Sequence, residues 1–114
     1  MSIALLSESA SKLGNLISVG KLDPIELTEL YLKAIKEEPL SRRIYSTVTK
    51  ERARIEAKAS SDRMKSGMRK SALDGVPISW KDLFDTAGVV TEAGTDLLKG
   101  RIPSRDADVV RNAT

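Results

Sequence analysis

The sequence predicts an α/β fold in which N-terminal helices lead into the first strand of a central sheet. Three observations carry this reading. Apolar residues recur at helical spacing up to about residue 66, in stretches bounded by start and stop signals. A short apolar run at 76–80 is opened by Asp74-Gly75 and closed by Lys81-Asp82, the pattern of a buried strand entered through a tight turn. A last helical pattern starts at Asp106 and meets no stop signal before Thr114.

Each element has its own warrant. From about residue 4 to 18, Leu6, Ala10, Leu13 and Ile17 share one helical face, and Gly20 is a stop. Asp23-Pro24 starts a second helix: the aspartate can accept from an orphan N–H, and proline suits the first helical position. Leu27, Leu30, Tyr31, Ala34 and Ile35 then form an apolar stripe down to Pro39. Residues 44–48 are β-branched and aromatic and read as a short strand or extended link. A third helix spans about 50 to 66, with a small inner face of Ala53, Ala57, Ser60 or Ser61, and Met64, and Gly67 ends it. The stretch 65–70 is a mobile basic connection.

The strand 76–80 follows, with Ile78 and Trp80 alternating into the core. Residues 82–95 read as loop with a short extended piece at Val89-Val90. Residues 99–104, with Gly100 and Pro103, form an exposed loop. Asp106 is the expected N-cap of the last helix, whose apolar positions include Ala107, Val109, Val110 and Ala113. A lone strand cannot satisfy its own ladder, and a helix of two turns is marginal alone. The expectation is therefore a chain stopped inside an α/β domain.

Composition removes several function classes. Net charge is +3, but the charges are interspersed, as in Lys50-Glu51-Arg52, and only four aromatics are present. No basic face with stacking rings is visible, so no nucleic-acid partner is expected. The chain has no cysteine and no histidine, which excludes disulfides, thiolate chemistry, His-based triads and His metal ligands. No apolar stretch approaches membrane-span length, and the N-terminus has no basic n-region and meets Glu8 early. No membrane partner is expected, and a cytoplasmic location is the default.

Chemistry concentrates at Lys81. A lysine at the end of a buried strand snorkels to water, pairs with Asp82, or is held neutral for chemistry. Spacing alone favours the first two. A charged Asp82 close by would favour the ammonium, so a basic lysine requires that carboxylate to point to backbone donors instead. Asp85 reads as a turn residue without a role. Thr91, Gly94 and Thr95 read as packing and turn residues.

Gly75-Val76-Pro77-Ile78-x-x-Lys81-Asp82, followed by Gly88-x-x-Thr91-x-x-Gly94, resembles the N-terminal part of the amidase signature family. Several fixed spacings agree at once, although Gly94-Thr95 stands where Gly-Ser is usual. The resemblance implies a mixed central sheet and a serine–cis-serine–lysine triad in which Lys81 is the catalytic lysine. Both serines would lie in a downstream Gly-Ser-rich loop, beyond Thr114. Ser60-Ser61 is no substitute, because it precedes the lysine, sits in a helical pattern and lacks flanking glycines.

On this reading residues 1–114 are a truncated N-terminal segment, about the first quarter, of a single amidase domain. Residues 1–70 are mainly helical, and 71–114 begin the core that carries the lysine. The complete enzyme would hydrolyse the carboxamide C–N bond of a small-molecule substrate through an acyl-serine intermediate, and the isolated chain would be inactive. The resemblance implies no cofactor and no metal, and it is compatible with a homodimer. The alternatives are an amidotransferase subunit of the same family acting on aminoacyl-tRNA, and a small non-catalytic helical interaction protein.

Overall fold

A computed structural model describes residues 3–114. They divide into two compact units: residues up to Ser41 with Lys50–Pro77, and Arg42–Thr49 with Ile78–Thr114.

The first unit is helical. A 3-10 turn, Ile3–Ser7, precedes α1, Ala10–Ser18. The single helix expected from 4 to 18 is thus broken. The physical reason is Ser9, whose hydroxyl accepts from the Lys12 amide at 3.2 Å and so starts a new helix there. Helix α1 closes with Gly20 at φ +75°, where the Gly20 and Lys21 amides donate back to the Ile17 and Leu16 carbonyls. This is a Schellman closure, which needs the left-handed conformation glycine adopts without strain. Asp23 caps α2, Pro24–Glu37, accepting from the Ile25 amide at 2.9 Å.

Helix α3 is a single turn, Ser41–Ile44, and an irregular link follows where a short strand or link was expected. Helix α4 spans Lys50–Ser66. It packs along α2 through the small residues Ala57, Ser60 and Ser61, all buried, which let the two backbones approach. Leu13, Ile17, Leu22 and Leu27 form the core, with Leu5, Leu16, Tyr31, Met64 and Val76 against it. Polar links fix the α2–α4 register. The Ser61 hydroxyl donates to Asp23 Oδ2 at 3.1 Å, and Arg54 grips Glu29 with two bonds of 2.6 and 3.2 Å. The basic connection after α4 is tied down: Arg69 donates to the Ala72 and Asp74 carbonyls, and the Lys70 amide donates to Asp74 Oδ2.

The second unit, to which α3 after Ser41 and the link that follows it belong, is mostly loop, with a 3-10 turn at Asp96–Leu98 and a short helix, α5, Asp108–Ala113, whose Val110 is buried. No strand is formed among the described residues. Residues 76–80 are extended but unpaired, so the expected first strand of a sheet has no ladder here. A ladder needs a second extended segment in register, and Pro77 offers no N–H to one. Ile78 is 63% exposed and Trp80 half-buried, so the expected alternation into a core is absent.

Candidate active site

Lys81 lies on an exposed turn. Its own carbonyl accepts from the Leu83 amide at 2.7 Å and the Phe84 amide at 3.1 Å. The rings of Trp80 and Phe84 meet edge to face, with centroids 5.4 Å apart, and so bracket the turn that carries the lysine. The backbone at Lys81 is therefore held on both sides. Its amine has no hydrogen bond or ion pair among the described residues.

Asp82 forms no ion pair with that amine; its Oδ1 accepts from the Glu92 amide at 3.1 Å, a backbone donor of the kind expected for it. Glu92 continues the chain of links, with Oε2 accepting from the Gly100 amide at 2.6 Å. A second set runs beside it. Asp85, expected to have no role, is clamped by Arg101 through two bonds of 2.7 Å. The Arg101 guanidinium holds the Asp85 carboxyl below its usual range, chiefly by hydrogen bonding, which outweighs an opposing desolvation, with charge adding the least. Arg101 also reaches the Thr91 carbonyl at 3.4 Å.

Backbone bonds finish the loop. The Gly88 amide donates to the Pro103 carbonyl and the Thr91 amide to the Arg101 carbonyl, each at 2.9 Å. Thr91 is 3% exposed and its hydroxyl donates to the Val89 carbonyl, which fits the packing role expected of it. Thr95 caps the 3-10 turn that follows. Asp106 was expected to cap α5. The N-cap is instead Ala107, without a side-chain bond, and Asp106 Oδ1 accepts from the Ala87 amide at 2.8 Å. The neighbouring Ala107 amide is taken by the Asp85 carbonyl.

Glu92, Gly100 and Arg101 were missed in the sequence. Their partners lie 8 to 16 residues away with no periodic signal between them. Ser60 and Ser61 belong to the first unit as packing residues of α4, with Ser61 bonded to Asp23, and no serine hydroxyl bonds to Lys81 among the described residues. Among the described residues, no group of three or more acidic side chains is placed to hold a metal ion, and no helix is long and apolar enough to cross a membrane.

Known proteins are similar to this sequence. A family model described as Amidase matches residues 26–113. The A subunit of the mitochondrial glutamyl-tRNA(Gln) amidotransferase of Ornithorhynchus anatinus is 42% identical over 92 residues, 81% of this chain and 17% of that protein. The A subunit of the glutamyl-tRNA(Gln) amidotransferase of Sinorhizobium fredii is 38% identical over 107 residues, 94% of this chain and 21% of that protein. The human mitochondrial counterpart is 36% identical over 107 residues, 94% and 20% respectively. The chain thus spans about a fifth of the length of the curated relatives it matches. No solved structure matches it.

Proposed function

The chain belongs to the amidase family, and from that premise we propose that Lys81 is the proton-accepting lysine of a serine–cis-serine–lysine site that cleaves carboxamides. The observation that supports this most is the state of Lys81: the adjacent carboxylate is bonded to the Glu92 amide, and the lysine amine is left unpaired on a braced turn. A neutral amine can take the proton of a bridging serine, which in turn takes that of a serine nucleophile. The nucleophile attacks the amide carbon, the C–N bond breaks as nitrogen is protonated, and an acyl-serine remains for water to hydrolyse. Both serines would come from a downstream part of the amidase domain. That part would also cover the exposed lysine, and burial favours the free base. Residues 76–80 would pair as a sheet strand in the same assembly.

The relatives' names favour the A subunit of an amidotransferase over a free-standing amidase of linear amides. On this reading the released amide nitrogen is destined for glutamyl-tRNA(Gln), and other subunits are partners. On this reading the expectation of no nucleic-acid partner gives way to a tRNA as a partner of the complete protein. The relatives are bacterial and mitochondrial, so a cytoplasmic location is one of two compartments that suit them. The exposure of Lys81 also fits a non-catalytic helical protein; the family match over residues 26–113 weighs against that.

The test is a chimera in which residues 26–113 replace the corresponding segment of the Sinorhizobium fredii protein. The amidotransferase activity of that protein is expected to be retained, and Lys81→Ala is expected to abolish it while the chimera stays folded. Equal turnover with and without the lysine would remove Lys81 from the reaction.

A further inference from the structure

We infer that Asp82 is a positioning residue for Lys81, an assignment that rests on the amide-cleaving reading above. A carboxylate next in sequence to a lysine is well placed to pair with it, and such a pair would hold the lysine as ammonium. In the folded chain Asp82 does something else. Its Oδ1 accepts from the Glu92 amide at 3.1 Å, ten residues on, a charge-assisted bond from the backbone. That bond fixes the turn from its C-terminal side, where the Leu83 and Phe84 amides already close on the Lys81 carbonyl. It also occupies the one carboxylate adjacent to the lysine in sequence.

The link is backed by others. Glu92 is itself held through its carboxylate on the Gly100 amide at 2.6 Å. Its position is further set by the turn that follows, in which Ala93, a residue with a Cβ, sits at φ +53° and the Thr95 amide returns to the Glu92 carbonyl. A non-glycine residue is held in that region only where its surroundings over-determine it. The geometry therefore makes the Lys81 turn one end of a braced series, Asp82 to Glu92 to Gly100. Asp82 acts through the lysine and touches no substrate.

Two variants separate this role from a general structural one. Asn at 82 keeps an oxygen for the Glu92 amide, whereas Ala removes it. In the 114-residue chain, amide exchange read by NMR should be slow at Glu92 in the wild type and in Asp82→Asn, and several-fold faster in Asp82→Ala, with α2 amides unchanged. In the chimera, Asp82→Ala should lower kcat by about ten- to a hundredfold with KM within about twofold, the scale of a misplaced catalytic group. Asp82→Asn should recover most of that loss. Equal Glu92 exchange in the wild type and Asp82→Ala would overturn the link. Loss of Glu92 protection with kcat intact would overturn the positioning role. An active Lys81→Ala chimera would instead defeat the catalytic reading and leave the exchange result standing.

Discussion

Arg63, in the last turn of α4, grips Asp74 through two hydrogen bonds of 2.7 and 2.8 Å and so ties the end of that helix to the turn before the 76–80 segment. The Asp74 side chain is 5% exposed, and it also accepts from the Lys70 amide. The Arg63 hydrogen bonds hold its carboxyl far below the usual carboxylate range, in spite of the opposing effect of burial.

A depressed carboxyl pKa stabilises the folded state fully above the unfolded value, and that stability drains as pH falls toward the folded one. Unfolding stability should therefore decline from about pH 4 downward. Asp74→Asn should cost about 2–3 kcal/mol at pH 7, because it leaves the guanidinium without its charge partner. The same variant should show a flatter acid limb. Urea titrations followed by far-UV circular dichroism at pH 7 and pH 3 measure both effects, and parallel acid limbs in the two proteins would contradict the assignment.

Gly14 lies within α1, where alanine would raise helix propensity by about 1 kcal/mol. A Cβ at that position would stand 2.2 Å from the Ala72 carbonyl oxygen, and a backbone atom cannot swing aside. Gly14→Ala should therefore destabilise the first unit, opposite in sign to the helix propensity. Gly75→Ala should do the same, since it would force a side chain to φ +97° with its Cβ 2.7 Å from Pro24. Thermal melts of the two variants check this, and a raised melting temperature for Gly14→Ala would show that the contact does not govern.

Lys81→Arg should damage the chimera almost as much as Lys81→Ala, with kcat lowered by several orders of magnitude and melting temperature unchanged. Guanidinium stays protonated and cannot receive a serine proton. The 114-residue chain alone should hydrolyse no amide, since neither serine of the proposed triad is in it. Turnover of a simple amide by pure chain, lost in Lys81→Ala, would contradict this.

Arg101→Ala should loosen the loop between Asp82 and Pro103 and leave the helices alone. It removes the clamp on Asp85 and the contact with the Thr91 carbonyl. Amides of Gly88 and Thr91 should exchange several-fold faster, with those of α2 and α4 unchanged. In the wild type the helical amides should already be the better protected, because the loop is held by separate bonds and not by a ladder. Uniform protection throughout would refute the difference.

The helices were legible because their signals are local. Asp23-Pro24 starts α2 where its side chain can reach the Ile25 amide two residues on. Gly67 ends α4 within one turn of the carbonyls it helps to satisfy. The inner face of α4, down to Ala57 and the buried serines, follows from the 3.6-residue period alone. Lys81 was singled out only through the family resemblance, since spacing alone favoured a snorkelling or paired lysine, whereas the backbone donor expected for Asp82 is the Glu92 amide.

The sequence by itself thus determined where α2 and α4 run and how Asp23-Pro24 starts α2, since hydrogen bonds within four residues and side-chain period need no distant partner. Tertiary structure alone decided which amide Asp82 would take, that Asp85 would pair with Arg101, and that Asp106 would turn to Ala87 and not cap α5. It also decided that residues 76–80 would stay unpaired. Each of these outcomes depends on which group is brought alongside when a loop closes. A carboxylate takes the best donor within reach, and a strand forms only where another lies beside it.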